Sequence, residues 1–300
     1  MKINNYTVGS ARDYDTINSL DIAQVVLSRR IFPSNRNYPA IFLDQKNHGI
    51  KTKIMVHYDY LYIASRIAIL RDSIKTAVLN EIKHIVNYSA TDNRILGIVS
   101  HTDFPIKKDV YKKGMPIEEA YTSRVYDREK LHYYCDEQLW SSLIKDSFIE
   151  LAKAIKSENP IKVYLENTTK VLDTIEPLGH IGWLIESASE NSDKLGVCLD
   201  TEHNFAVTGD SLEKNKEHLL YAKSLGVSTM VHLNTIPSEV TPGSLKDRHS
   251  STTLFECSQF TIEQYFDFIE FLEENNIPWV REVDDETMKR EQEQLLKWKK

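Results

Sequence analysis

Leu195–His203 reads LGVCLDTEH: a compact apolar run, a carboxylate at Asp200 where the run stops, and an imidazole three positions further on. A short run of this kind suits a strand buried on both faces, which is what a parallel sheet requires. The same shape recurs along the chain. Apolar runs stand at Tyr6–Val8, Ala40–Leu43, Ile54–His57, Ile95–Ser100, Ile161–Leu165, Leu195–Leu199, Val227–Leu233 and Ile277–Val280. Amphipathic stretches lie between them, at Ser19–Arg30, Tyr62–Tyr88, Cys135–Lys156, Pro177–Glu190, Leu212–Leu225 and Thr261–Asn275. Eight alternations of strand and helix predict an α/β protein whose parallel strands close into a (β/α)8 TIM barrel. The 300 residues suffice for one such domain, which typically needs about 250. An open doubly wound sheet is the structural alternative, weakened because no Gly-rich phosphate loop follows the first strand. No linker divides the chain, so a single domain is expected over residues 1–300. The charge-dense tail Asp284–Lys300 is expected to form a solvated terminal helix on the barrel exterior.

The chemistry collects where strands stop. Strand three ends in His57, strand four in His101, strand five in Glu166 and strand six in Asp200, while strand seven carries His232 and strand eight ends in Glu282. The C-terminal rim of a TIM barrel is where its active sites are assembled, so these side chains are expected to converge. Just beyond them come His203, one helical turn after Asp200, and the pair Asp247 and His249 flanking Arg248. Taken singly, a strand-end histidine is ordinarily a hydrogen-bonded rim residue and a strand-end carboxylate an N-cap. Nine such residues at one rim call instead for metal. Imidazole plus carboxylate is the donor set of zinc, manganese or iron, and nine donors exceed one centre, so two or three ions would share them. The remaining histidines, His48, His84, His132, His180 and His218, fall in helices or loops and are read as surface or packing residues.

Bulk properties set few limits. Hydrophobic residues make up 41% and charged residues 27%, enough for a full core. No run approaches the roughly 20 apolar residues of a membrane span, so no membrane partner is expected, and the opening MKINNYTVGS lacks a secretory apolar region. Cys135, Cys198 and Cys257 are few and scattered, as free thiols in a reducing compartment would be. The expected location is cytoplasmic, with nucleus and virion left open. A net charge of −7 argues against a nucleic-acid partner, but three divalent cations would reverse the local field.

At the strand-end residues the sequence resembles the endonuclease IV family of apurinic/apyrimidinic endonucleases, over roughly residues 50–285. GVCLDTEHNFAVTGD (Gly196–Asp210) resembles the family's GVCxDTCHxFAxGYD, and YLENT (Tyr164–Thr168) its LLENT element. HLN (His232–Asn234) and GSLKDRH (Gly243–His249) resemble HLND…GSxxDRH, while MVHYDYL (Met55–Leu61) and PWVRE (Pro278–Glu282) resemble the third and last strands. There are departures. Glu202 replaces the DTCH cysteine, Thr235-Ile236 replace Asp-Ser after HLN, and Thr102-Asp103 replace the Pro-Gly after His101.

The resemblance implies three zinc ions, manganese being an alternative at one of them. His57 and His101 would hold the first, with Glu166 bridging to the second. Asp200, His232 and Glu282 would complete the second, and His203, Asp247 and His249 the third. Glu166, Asp200 and Glu282 would be the catalytic carboxylates. The implied reaction is hydrolysis of the phosphodiester 5′ to an abasic site in duplex DNA, leaving a 3′-hydroxyl and a 5′-deoxyribose phosphate. Tyr60 and Leu61 would meet the DNA after strand three, Arg248 would contact phosphate, and Lys46 is the candidate for the basic residue expected after strand two. Lys107, Lys108, Lys112 and Lys113 are further phosphate candidates. A monomer is expected, because duplex DNA must reach the whole rim. The alternatives are a UV-damage endonuclease-like nuclease and a metal-dependent sugar isomerase or epimerase on the same barrel. The third donor set has no task in a sugar isomerase.

Overall fold

A computed structural model describes residues 3–27, 38–58, 68–101, 137–155, 161–167, 180–242, 251–256 and 259–298. Eight strands run in chain order around one sheet: β1 Asn5–Val8, β2 Ile22–Leu27, β3 Lys53–Tyr58, β4 Ile95–His101, β5 Lys162–Glu166, β6 Leu195–Asp200, β7 Ser228–His232 and β8 Trp279–Val280. Every neighbouring pair is parallel. Tyr6 bridges Arg281, with Thr7 N donating to Arg281 O at 2.9 Å and Arg281 N to Asn5 O at 3.0 Å, which closes the sheet on itself. The protein is a (β/α)8 TIM barrel. The helices among the described residues are α1 Tyr14–Asn18, α2 Tyr38–Asn47, α3 Ala68–Ser89, α4 Glu137–Ala154, α5 Ile181–Ser189, α6 Thr201–Thr208, α7 Leu212–Ser224, α8 Ile262–Glu274 and α9 Asp285–Trp298.

The strand count was expected correctly, but one strand was misplaced. Ala40–Leu43 lies inside α2, and the second strand is Ile22–Leu27, inside the stretch expected to be helical from Ser19 to Arg30. Short apolar runs fit either structure by pattern alone. In α2, Phe42 and Gln45 are buried while Leu43 is 49% exposed, a spacing of three that only a helix produces. In β2, the β-branched residues of IAQVVL bond to β1 on one side and β3 on the other, so sheet pairing overrides the ambiguous pattern.

Alternation along each strand divides the core in two. Residues such as Ile54, Val56, Ile98, Val163, Leu165, Val197, Leu199 and Val231 face outward into the helix layer. Met55, Val99, Tyr164, Cys198, Met230 and Val280 fill the barrel interior, with the partly buried Ile22 packed against them. Tyr164 needs room there. A Cβ on Gly97 would come 2.5 Å from its ring, and one on Gly196 would come 2.6 Å from Ser228 O and 2.7 Å from the Tyr164 ring. Glycine on both flanking strands therefore allows one large side chain to plug the interior below the rim.

The terminal helix is present as expected, though one side of it is not solvated. Glu291 is fully buried and accepts from Arg281 and Tyr6, and from the backbone N–H of Leu254 at 2.7 Å.

Candidate metal centre at the C-terminal rim

The interior layer locates the site arithmetically. Two residues beyond Ile22, Met55, Val99, Tyr164, Cys198, Met230 and Val280 stand Gln24, His57, His101, Glu166, Asp200, His232 and Glu282. A strand's side chains repeat every two residues, so each of these is the next inward position toward the C-terminal end. Six of the seven were anticipated as ligands. Gln24 was missed.

Glu166 is at the centre and fully buried. Its Oε1 lies 2.9 Å from His232 Nδ1 and 3.7 Å from His203 Nδ1, and its Oε2 lies 3.3 Å from His57 Nε2 and 3.6 Å from His101 Nε2. Glu282 reaches His232 Nδ1 at 3.1 Å and His57 Nε2 at 3.8 Å. Asp200 has two tasks. It is the N-cap of α6, accepting from His203 N at 2.8 Å, and its Oδ2 lies 3.9 Å from His232 Nδ1 and 3.8 Å from His203 Nδ1. The cap makes α6 begin where β6 ends, which brings His203 one turn along and back over the rim, as its spacing implied.

Amides lock this arrangement. Asn167 accepts from Asp200 N at 2.7 Å through its side chain, and its carbonyl lies 2.9 Å from His203 Nδ1. Asn234 donates to Asp200 Oδ2 at 2.6 Å and accepts from Glu282 N at 3.2 Å. Thr201 Oγ1 donates to Asn234 O at 2.8 Å. Both asparagines stand in the quoted ENT and HLN motifs, so their positions were legible although their roles were not.

The electrostatics are unusual for a protein interior. Burial opposes charge on His232, yet Cys198, Glu282 and Glu166 together hold its pKa well above the ordinary histidine value. Burial likewise opposes charge on His57, but Glu166 and Glu282 raise it. At His101 burial wins and pushes the pKa down to about 4. Burial would raise Glu166, but His101 and His232 hold its carboxyl well below the usual range, and Glu282 is lowered in the same way by His232. Burial pushes the Cys198 thiol up to about 12, and none of the candidate metal groups among the described residues includes it.

The donors fit metal ions. His57, His101 and Glu166 offer ligand atoms within 4.8 Å of one another, and so do Glu166, Asp200, His232 and Glu282. The two groups share Glu166, which is how a bridging carboxylate would be placed. Ligand bonds of about 2.0–2.1 Å in a tetrahedron put donors about 3.3 Å apart. The observed separations of 2.9, 3.1, 3.3 and 3.6 Å bracket that edge. Imidazole rings also crowd together, His57 lying 5.6 Å from both His101 and His232, and His101 5.9 Å from His203.

Asp247, Arg248, His249, Tyr60 and Leu61 lie outside the described residues, as do Lys107, Lys108, Lys112, Lys113, His132, Cys135 and Cys257. His48 stacks on Tyr14 and His218 pairs with Asp210 at 2.9 Å, the packing roles expected of them. Lys46 is a correction. It sits at the C-terminal end of α2, beside a cavity of about 590 Å³ lined also by Ile50, Lys51, Asp92 and Arg94, where the chain enters β3 and β4. That is the opposite end of the barrel from the rim. The error follows from the misplaced second strand, because the residues that follow the true β2 in the chain are 28–37.

No protein family matches the chain by sequence, and no characterised protein does either. Solved structures match it along nearly its whole length. The structure described as AsfvAP:AG is 17% identical, covering 91% of this chain and 82% of its own, with a TM-score of 0.56. A D-psicose 3-epimerase with D-tagatose from Clostridium cellulolyticum H10 is 12% identical, covering 98% and 94%, with a TM-score of 0.61. An AP endonuclease, family 2, from Brucella melitensis is 11% identical, covering 94% and 92%, with a TM-score of 0.52. At these identities the likeness establishes the fold alone, a TIM barrel.

Proposed function

We propose that this protein is a metal-dependent AP endonuclease that hydrolyses the phosphodiester 5′ to abasic sites in duplex DNA. The observation that carries this reading is the number of donors. A group of three donors and a group of four, sharing Glu166, use six side chains, and His203 remains over the same rim, within 4 Å of both Glu166 and Asp200. With Asp247 and His249 of the GSLKDRH motif, His203 would hold a third ion. A sugar epimerase on this barrel leaves that third set without a task.

Zinc bound here would polarise a phosphate oxygen and bring the pKa of bound water to about 7, as metal sites of this donor type do. The chain supplies the positioning. Glu166 holds the two donor groups at one spacing through its two oxygens, and Asp200 is fixed by the α6 cap, Asn167 and Asn234. These contacts keep the donors from relaxing when a charged phosphate arrives, the preorganisation that electrostatic catalysis needs. His101, neutral at physiological pH, presents a lone pair and needs no deprotonation to ligate. Tyr60 and Leu61, which come two and three residues after the last residue of β3 in the chain, are assigned to the lesion, and Arg248 to a flanking phosphate. The basic residue expected after strand two is to be sought among Arg29, Arg30 and Arg36, which the corrected strand boundary puts in that connection.

The test is a nicking assay on a duplex oligonucleotide with one central abasic analogue, run before and after metal stripping. Metal-dependent cleavage 5′ to the lesion, leaving an extendable 3′-hydroxyl, is the expected outcome. No cleavage by folded, metal-replete protein overturns the reading and directs the same protein to ketose epimerisation and ultraviolet-lesion assays.

A further inference from the structure

β2 contributes the one inward rim residue among β2–β8 that is not a conventional ligand. Gln24 is fully buried, and it touches two donors of the same group. Its Nε2 donates to Glu282 Oε1 at 2.7 Å and to Thr7 Oγ1 at 3.1 Å, while its Oε1 lies 2.9 Å from His232 Nε2. The amide can be oriented in only one way. An ionised carboxylate accepts and never donates, so the nitrogen end must face Glu282 and the oxygen end must face His232. A carbonyl oxygen can face a ring nitrogen at 2.9 Å only if that nitrogen carries the proton.

We propose that Gln24 is a positioning residue for the metal centre: it fixes His232 as the Nε2–H tautomer and turns Nδ1 toward Glu166, Asp200 and Glu282 as the ligating atom. The proposal rests on the reading of this cluster as a metal centre. At the other edge of the ring Nδ1 lies 2.9 Å from Glu166 Oε1 and 3.1 Å from Glu282 Oε2, so it is the edge whose proton a metal ion held by these carboxylates would replace. The same side chain tethers Glu282, so one amide sets two of the four donors in the group Glu166, Asp200, His232 and Glu282. Asn234 does the corresponding work for Asp200. Outer contacts of this kind set the tautomer and orientation of a ligating histidine, and losing one typically costs about 10–100-fold in metal affinity.

The test compares the full-length wild-type chain with Gln24→Met, which keeps the length of the side chain and removes both polar contacts. Zinc per chain is measured against chelators of graded strength, circular dichroism follows the fold, and long-range proton–nitrogen spectra of the zinc-loaded protein report the His232 ring. The wild type is expected to hold zinc and to show an Nε2-bound proton at His232. In Gln24→Met one zinc site weakens about 10–100-fold, the others remain, and the His232 proton signal is lost. Thr7→Val, which removes only the outer contact of Gln24, stays within about threefold of wild type, as a contact one step further from the metal should. Equal zinc affinity and an unchanged His232 signal in folded Gln24→Met overturn the proposal while leaving the metal centre standing. Absence of zinc from the wild type overturns the metal centre itself, and the proposal with it. Should Gln24→Met fail to fold, Gln24→Glu keeps an acceptor for His232 and loses the donor to Glu282. It is expected to preserve the His232 signal while weakening zinc, and loss of that signal overturns the proposal.

Discussion

Arg281 and Glu282 are neighbours in the chain just beyond β8, and their side chains point to opposite faces of the barrel wall. Both carry buried charge, and the two environments treat it differently. Arg281 faces outward beneath α9, where it donates to Glu291 at 3.0 and 3.2 Å, to Leu233 O at 2.6 Å and to Thr252 O at 2.9 Å. Its charge meets one opposite charge and its remaining donors meet carbonyls. Glu282 faces inward among His57, His232, Gln24 and a second carboxylate, Glu166. There the compensating cations are imidazoles, which titrate and lose charge when desolvated. A buried pair that is fully bonded holds structure, and its rupture is expensive. A buried crowd of imidazoles and carboxylates is a donor set that a metal ion could share. The outward face therefore reads as architecture, and the inward face as a site built for chemistry.

The sharpest way to break this contrast is Glu166→Gln. The substitution keeps size but turns one acceptor oxygen into a donor and removes the charge shared by both donor groups, so nicking should fall by at least about 10³-fold, some 4 kcal/mol in barrier terms, with the circular dichroism spectrum intact. Near-normal cleavage would mean that Glu166 bridges nothing. Next in size is Glu291→Leu on the opposite face. Removing one partner of a buried pair leaves Arg281 uncompensated and should cost about 3–5 kcal/mol. For a chain of this length that lowers the melting temperature by about 5–8 °C, while zinc content per folded chain stays unchanged. If zinc falls together with stability, the two faces are not independent.

How far these faces could be read from sequence differs along the chain. From β3 onward each strand announced itself, because its apolar run ends on a residue type that folding does not require, and His57, His101, Glu166, Asp200, His232 and Glu282 all arrive at the rim. Asp200 also predicted its own surroundings, since an N-cap at that position brings His203 back over it. The first quarter was less legible. Ala-Ile-Phe-Leu in α2 and Ile-Ala-Gln-Val-Val-Leu in β2 are both short and apolar, and only partners distant in sequence decide which becomes strand. That error hid Gln24, whose part depends on three other strands: Thr7 on β1, His232 on β7 and Glu282 after β8. It also sent the expected DNA-probing residue to Lys46. The buried Arg281–Glu291 pair was equally invisible, for a charge-rich tail gives no sign that one of its glutamates lies against the barrel.

Acid should distinguish the two faces without mutation. In the metal-stripped protein His101 titrates near 4, against about 6.5 when exposed. Between those values the unfolded chain binds a proton that the folded chain refuses, so stability is fully present above about pH 6.5 and drains away as pH falls toward 4. Glu166 and Glu282, held below their ordinary range, add a further loss in still more acid solution. His57 and His232 are shifted upward, and their share is instead lost as pH rises through their folded values. Thermal melts across pH should thus show an acid limb between about 6.5 and 4 that His101→Gln flattens. Zinc loading should steepen it instead, since a ligated imidazole resists protonation while the unfolded chain still takes protons up. A limb unchanged by either treatment would place the acid sensitivity outside the rim.

The smallest effect is expected at Lys46, and its smallness is informative. Lys46 lies where the chain enters β3, and a barrel's strands separate that end from the rim where DNA would dock. Exposed charges more than a Debye length apart, about 8 Å at physiological ionic strength, are largely screened from one another. Lys46→Ala should therefore leave abasic-duplex affinity and nicking within about twofold of wild type at that ionic strength. Replacement of Arg29, Arg30 or Arg36, in the connection that follows the true second strand, should weaken binding and lower its salt dependence by about one counterion for each phosphate that is no longer neutralised. If Lys46→Ala instead reduces binding as much as those arginine variants, duplex DNA must reach the strand-entry end of the barrel, and one rim would no longer account for recognition.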